Sequence, residues 1–451
     1  MTGPVGDRAV VVGGSISGTL AARVLSDFYR EVIVVERDQV VGVRHLRRGT
    51  PHAGHAHGLH SRGCLILEEL FPGILDELRR AQFPMGDLGE QHWYFNGKRF
   101  RPARTGLPTV TTQRPVLEEY VRSKVAAQSG VTFLERTELV GLESTTCGAR
   151  VTGVRLRSTA ADTTGEYSLG ADLVIDTCGR GSRTPVWLEQ LGYERPPEER
   201  MAIGLAYVTR LYRSPKPLNG AQFLTCLASR TNPRGAVFGR AGDDDTYYLS
   251  LTGILGDHPP TDPDGYLQFC RSLPVADVYE RIRDATPLTD PIAFRIPASV
   301  RRRYERLPRL PERLLVLGDA VCSLNPSYSQ GMTVAAMEVM ALRTHLRRGT
   351  NPSAPAFMRD VGKIINRPWF LSTTRDVQYT GGKGLRTLTA RLGNAYVTRL
   401  HGAAQHDSAA TDALIRVAGL SDPPTTLIRP RVVLAALKRQ GFRDLSSQAP
   451  Q

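Results

Sequence analysis

Lysine is scarce in this 451-residue chain: only six lysines stand against 52 arginines, which are spread along its whole length. The net charge of +14 therefore reads as an arginine-rich composition more than as a surface built for polyanions. The local clusters at Arg44, Arg47 and Arg48 and at Arg301, Arg302 and Arg303 lack interleaved aromatics on which bases would stack, which argues against nucleic acid as a partner. The six cysteines, Cys64, Cys147, Cys178, Cys226, Cys270 and Cys322, are far apart with no CxxC pair. That spacing excludes a disulfide framework and a cysteine zinc site, and it reads as reduced thiols. No apolar run approaches the ~20 residues of a membrane-spanning helix, so a transmembrane segment is excluded. The first residues run into an apolar stretch that ends in glycines rather than at a small-residue cleavage site, and the expected location is cytoplasmic. No GxSxG elbow is present for nucleophilic catalysis.

What is present is a hydrophobic fraction of 41%, enough for a large core, over a length that predicts two or three structural units. Arg8 to Gly14 is a β-branched run ending in glycines, a buried strand by pattern. Leu20, Val24, Leu25 and Phe28 then recur at helical spacing, and Val32 to Asp38 is a second strand closing on acidic residues. Strand, glycine turn, helix, strand and acid make a βαβ unit. Its turn, Gly13-Gly14-Ser15-Ile16-Ser17-Gly18, follows GxGxxG spacing with Ser15 in place of the second glycine. Gly13 permits the tight turn, Gly18 lets helix and strand approach, and the helix N-terminus offers free N–H groups to a pyrophosphate. Glu36, 18 residues past Gly18 and followed by Arg37, stands where a strand-end carboxylate accepts from a ribose diol. The unit predicts dinucleotide binding but leaves NAD and FAD open.

Further along, helical patterns cover Cys64 to Arg80, with a break at Pro72-Gly73, and Pro115 to Gln128. Residues 131 to 156 read as short strands, and Ala171 to Asp176 as another buried strand. Alternating apolar runs between 200 and 310 predict a second, mainly antiparallel sheet. A helix is expected from Met332 to Leu346, and the last hundred residues are mostly helical in pattern.

The second chemical motif is Leu317-Gly318-Asp319-Ala320-Val321-Cys322-Ser323-Leu324-Asn325-Pro326-Ser327-Tyr328-Ser329-Gln330-Gly331-Met332. A strand-end Asp followed by a helix that starts at Gly offers a carboxylate for a polyol and a positive dipole for an anion. The segment resembles the GDA…P…GQGM signature of class A flavoprotein monooxygenases, the fold of 4-hydroxybenzoate hydroxylase and squalene epoxidase. Arg48-Gly49-Thr50-Pro51, the His-rich loop after it, Thr112-Gln113-Arg114-Pro115 and the Asn325-Pro326-Ser327-Tyr328 variant resemble the actinobacterial branch containing polyether epoxidases, and FAD-dependent spirotetronate cyclases are related to the wider class.

That resemblance implies an α/β fold: a Rossmann-like FAD-binding domain of the glutathione reductase type, an inserted antiparallel β substrate domain and a helical C-terminal region. The implied divisions are 1–199 and 312–350 for the FAD domain, 200–311 for the substrate domain and 351–451 for the helices. It implies that Asp319 holds the ribityl or pyrophosphate part of FAD, that the Gly331 and Met332 amides face the flavin ring, and that Pro326 lines its oxygen-reacting face. Arg114 and Arg48 are expected to reach the ribose and phosphates, joining Gly13, Ser15, Gly18, Glu36 and Arg37 as cofactor contacts.

The implied reaction is epoxidation of an alkene in a hydrophobic polyketide or terpenoid by O₂ through a flavin C4a-hydroperoxide, a pathway of secondary metabolism such as antibiotic biosynthesis. A cycloaddition cyclase holding FAD as structure, an aromatic hydroxylase, an alkene reductase of the geranylgeranyl reductase type and a carrier that holds FAD or a lipid without turnover are the alternatives. Trp93, Trp187 and Trp369 are the only tryptophans and form no WxWxIP motif, so a halogenase is not expected.

Two positions depart from the family. Cys178 precedes Gly179 where the family's second motif has Asp, which puts direct reduction by NADPH or NADH in question and raises a separate flavin reductase as electron source. Cys322 replaces the usual His after GDA. The loop His52-Ala53-Gly54-His55-Ala56-His57-Gly58-Leu59-His60 has imidazoles at ligand spacing but no cysteine or carboxylate partner, and no metal is assigned to it.

Overall fold

In the computed structural model, which describes residues 5–160, 165–213, 216–229, 232–242, 245–349, 351–380 and 388–437, the chain opens on β1 (Gly6–Val12), α1 (Ile16–Leu25) and β2 (Tyr29–Val35). There follow β3 (His92–Phe95), α2 (Arg114–Ala126), β4 (Val131–Leu134) and β5 (Leu173–Asp176). The middle holds β6 (Glu198–Arg213), β7 (Phe223–Cys226), β8 (Arg234–Arg240), β9 (Thr246–Gly253) and β10 (Ile292–Arg302). Then come β11 (Leu314–Val316), α3 (Gly331–Arg348), α4 (Ala354–Thr380), α5 (Leu388–Ala404), α6 (Ser408–Ala418) and α7 (Pro430–Leu437).

The first sheet is parallel, in the order β11-β5-β1-β2-β4. Ala9 to Val12 and Val32 to Val35 are buried on both faces, which is why these strands read as unbroken β-branched runs. One core joins this sheet to α1 and α3 and to the antiparallel strands that carry Val151, Val154 and Leu156. The helical pattern of Cys64 to Arg80 forms as Ser61–Leu70 and Ile74–Arg80, parted where Gly73 takes a φ of +88°.

The second sheet is mainly antiparallel and runs Cys322–Ser323, β10, β6, β9, β8, β7, β3, Lys98–Arg99, with Thr286–Pro287 pairing β6. It is not confined to residues 200–311. Its edge strands present unpaired backbone groups, and His92–Phe95 from the first hundred residues satisfies one such edge while Cys322–Ser323 satisfies the other. Residues 381–387 and 438–451 of the expected helical region lie outside the described residues. Within them α5, α6 and α7 build a small core of Leu400, Ala403, Leu414 and Val432 against Phe100, Trp93 and Phe95, so the helical end closes on β3. Among the described residues no helix is long and apolar enough to cross a membrane.

Candidate functional site

The glycine turn after β1 is tight because a side chain has nowhere to go. Gly13 has a φ of +107°, and a Cβ there would lie 2.6 Å from the Thr177 carbonyl oxygen. A Cβ on Gly18 would lie 1.7 Å from the Gly13 carbonyl oxygen. The buried carboxylate of Glu36 closes the turn, its Oε2 accepting from the Gly14 amide at 2.8 Å and its Oε1 from the Asp38 amide at 3.1 Å. Arg37, next to it, points outward and is exposed.

Around this turn lies a buried charge cluster that local pattern did not reveal. Glu118 on α2 accepts from the Ile16 amide at 3.2 Å, from Arg114 Nε at 2.9 Å, from Arg47 Nη2 at 3.3 Å and from Arg122 Nη2 at 3.5 Å. Burial works to raise its pKa, but Arg114, Arg122 and Arg47 overcome that and hold the carboxyl down to about 2. Arg122, also buried, donates from Nε to Gly14 O and from Nη1 to Val40 O. Arg47 Nη2 donates to Ser15 Oγ at 3.1 Å, while its Nη1 lies 3.7 Å from both Glu36 and Asp38 and makes no hydrogen bond. Arg48 is exposed. The basic residue of this loop that turns toward the glycine turn is thus Arg47: a mostly polar loop has no periodicity to reveal direction, and the attraction comes from Glu118, 71 positions away.

Arg114 joins this cluster to the His-rich loop, its Nη1 lying 2.7 Å from His52 Nε2. Arginine only donates, so His52 accepts there and is neutral; burial first, then Arg114, depresses its pKa to about 2. The other imidazoles are committed as well: His55 Nδ1 to Thr209 Oγ1 at 2.8 Å, His57 Nδ1 to His55 O at 2.9 Å and His60 Nε2 to Tyr328 O at 2.9 Å. Burial holds His55 to about 4 and His57 to about 3. Among the described residues no group of three His, Cys, Asp or Glu side chains could hold a metal.

The second motif meets the first. Gly318 has a φ of +66°, and a Cβ there would strike Ser17 Oγ of α1 at 2.3 Å. Its amide donates to the buried Glu338 of α3, whose carboxyl burial pushes up to about 8. Asp319 follows, half-buried, with its pKa raised by burial against the pull of Arg114 and Arg180. Its Oδ1 would be the nearest neighbour, at 3.9 Å, of a Cβ on Gly331, and α3 starts at Gly331 with no side-chain cap on its first amides. Met332 is buried beneath it. In the Cys178-Gly179 turn the carboxylate is Asp176, which is turned inward to the Cys178 amide, Ser182 and Thr184, while Cys178 itself is exposed.

Pro326 opens a short turn that is held from both the antiparallel sheet and the C-terminal helices. Asn325 Oδ1 caps the Ser327 amide at 3.0 Å, Ser327 Oγ lies 3.3 Å from the Tyr207 hydroxyl of β6, and the Tyr328 hydroxyl donates to Asp376 of α4 at 2.7 Å. Gln330 Nε2 donates to Ala418 O at the end of α6. Ser329, between them, is held at a φ of +51°. This turn forms one wall of a cavity of about 700 Å³ whose other walls include Trp93, Phe95, Phe223, Phe370 and His401.

These features fit FAD. Three glycines let the two turns pack tightly on each other because a Cβ at any of them would strike the chain itself, a buried guanidinium nitrogen beside Ser15 lacks a hydrogen bond, and two helix N-termini converge with a carboxylate between them. Arg114→Ala is expected to weaken FAD retention by about 10- to 100-fold, the size of a charge-assisted hydrogen bond. Flavin content after gel filtration checks it; wild-type retention would remove Arg114 from the site.

Comparison with known proteins agrees with this geometry. Residues 8–356 match the FAD binding domain family. The chain is 34% identical over 400 residues to Protein Rv3254 of Mycobacterium tuberculosis, covering 84% of this chain and 82% of that protein. A flavoprotein/dehydrogenase structure from Cytophaga hutchinsonii superposes with a TM-score of 0.67 at 15% identity, covering 95% of this chain and 96% of that one. The structure of pqsL from Pseudomonas aeruginosa, described as a probable FAD-dependent monooxygenase, superposes with a TM-score of 0.60 at 18% identity, covering 83% and 99%. The chain belongs to the FAD binding domain family and is a FAD-dependent oxidoreductase.

Proposed function

We propose that this protein is a monooxygenase that adds one oxygen atom from O₂ to an alkene of a hydrophobic natural product, as an epoxidase. The observation that carries this reading is the cavity of about 700 Å³, which shares the Ser327–Gln330 wall with the cofactor motif and is otherwise largely apolar and aromatic. When bound, FAD supplies the electrons and the activation of oxygen.

The chain's own residues hold and orient. In this reading Glu36 takes the adenosine ribose, and the Gly13–Gly18 turn with Ser15, Arg47 and Arg114 takes the pyrophosphate. Asp319 takes the ribityl chain, the Gly331 and Met332 amides receive negative charge on the ring, and Pro326 flanks the reacting face. The apolar walls exclude water and place the alkene. Glu36 and Asp319 as polyol acceptors, with helix N-termini between them, are the donor and acceptor set that a flavin dinucleotide requires.

Epoxidation is favoured over aromatic hydroxylation because the described cavity residues include no Asp or Glu. The histidines on its wall are poor bases: burial depresses His57 and His401 to about 3, and a base that weak takes a phenol proton inefficiently. The resemblance to the polyether epoxidase branch points the same way. Cys178 in place of a family carboxylate supports electron delivery from NADPH or NADH through a separate flavin reductase.

The test is a spectrum of the purified protein under anaerobic NADPH, with and without an added flavin reductase, then with air and a polyene. Bleaching only with the reductase, followed by a product heavier by one oxygen, is the expected result. No mass change means a cyclase, and two added hydrogens mean an alkene reductase.

A further inference from the structure

Three buried polar atoms on lining residues of the cavity have no hydrogen-bond partner among the described residues: His60 Nδ1, Gln330 Oε1 and Thr111 Oγ1. The three residues are only 6%, 5% and 1% exposed, so bulk water does not serve them. The other contacts of two of them fix which way a hydrogen bond must run. His60 Nε2 lies 2.9 Å from the Tyr328 carbonyl oxygen, which only accepts, so Nε2 carries the proton. Burial keeps that imidazole neutral, and Nδ1 is left with a lone pair. Gln330 Nε2 donates to Ala418 O at 3.3 Å, which identifies the unpaired amide atom as the oxygen. Thr111 stands opposite Gly58 where the short strands Gly58–Leu59 and Pro108–Thr111 pair, and its hydroxyl can donate or accept. Gly58 is two positions from His60, and Tyr328 two from Gln330, so these contacts gather the three side chains at the turn that leads into Gly331. Two fixed acceptors and one hydroxyl there call for a partner that donates, and leaving such atoms unpaired is costly.

We propose that this part of the wall is a subsite for a hydroxyl group of the substrate, which donates to His60 Nδ1 or Gln330 Oε1 and accepts from Thr111 Oγ1, so that the cavity takes apolar unsaturated alcohols. This rests on the reading of the cavity as the substrate site. A ketone or an ether brings acceptors only and sets its lone pairs against those of His60 and Gln330. An ammonium donates, but its charge would be buried where the described lining residues include no Asp or Glu to pair it. A hydroxyl donates, accepts and carries no charge. A trapped water has the same capacity, and the test separates the two.

The probes are 1-(2-naphthyl)ethanol and 2-acetylnaphthalene, which share one carbon skeleton and differ in whether the oxygen carries a proton. Calorimetric titration of the FAD-loaded protein is expected to show the alcohol binding about 3- to 10-fold more tightly, the net worth of one neutral hydrogen bond. His60→Phe and Gln330→Met are each expected to reduce that preference while the ketone still binds. Equal affinities in the wild type mean that water satisfies these atoms and overturn the proposal, as does a preference that survives in both variants. If neither variant folds, Thr111→Val decides, because it keeps the side-chain shape and breaks neither the Tyr328 nor the Ala418 contact. It should weaken both probes, whose oxygens each accept from the Thr111 hydroxyl, and unchanged affinity for both overturns the proposal. Binding of neither probe to the wild type overturns the substrate-site reading and this proposal with it, whereas equal binding of the two leaves that reading standing. Flavin content, read from the absorption spectrum before each titration, reports on the cofactor separately.

Discussion

Glu118→Ala is expected to cost about 3–5 kcal/mol of stability and to release the flavin, although Glu118 belongs to neither glycine motif. The reason is the company it keeps. Its carboxylate is shared by Arg47, Arg114 and Arg122, three guanidiniums largely removed from water, and it also accepts from the first helical amide of α1. Truncation leaves buried positive charges without their anion, one of the few single changes with an effect this large. The pH dependence carries the same signature. The carboxyl titrates near 2 in the folded protein against an ordinary 4.5, so the folded state binds fewer protons than the unfolded one between those values. Its contribution is fully present above about pH 4.5 and is lost as pH falls through 2, to a total of about 3 kcal/mol. Urea melts of wild type and Glu118→Ala should differ most at pH 7 and converge near pH 2. Equal midpoints at pH 7 would falsify the role given to the cluster.

Gly18→Ala is the second large effect, and here one methyl group is enough. The new Cβ would sit 1.7 Å from the Gly13 carbonyl oxygen and 2.7 Å from Thr177 Oγ1. The first obstacle is backbone, which cannot swing aside as a flexible side chain would, so α1 must lift from the turn. The expected outcome is a stability loss of about 1–3 kcal/mol with flavin content below about a tenth of wild type, the loss that ~1.4 kcal/mol in binding produces. Gly331→Ala is the control, since its Cβ meets nothing closer than 3.9 Å and the fold should tolerate it. Flavin lost from Gly331→Ala with an unchanged melting point would report a cofactor pressed against that backbone. A flavin-replete Gly18→Ala protein would show that the turn is not the dinucleotide cradle.

The two motifs are legible in the sequence because each is local. Gly13 to Gly18 and Gly318 to Met332 announce themselves through glycines placed after a short apolar run, and the required φ of +107° at Gly13 and +66° at Gly318 explains the residue type. Their meeting was not legible: that Gly318 packs on Ser17 depends on β11 pairing with β5 and β5 with β1. Arg47 and Arg48 are adjacent and alike, and nothing in a mostly polar loop says which turns inward. In sequence Glu118 and Glu119 are only acids in the first turns of a helix, yet they and Arg122 are buried because α2 lies against the glycine turn.

The amino-acid pattern alone determined the order of elements, the α/β class, the two glycine motifs and the carboxylates Glu36 and Asp319. These follow from steric and hydrogen-bonding requirements over a few neighbouring residues. Only the tertiary structure decided which arginine faces the glycine turn, how three arginines share Glu118, and what lines the cavity. That cavity draws its wall from β3, from the Pro326 turn and from α4, α5 and α6, segments separated by more than three hundred positions. Such a surface arises from long-range packing, so its composition becomes visible only when those segments are brought together.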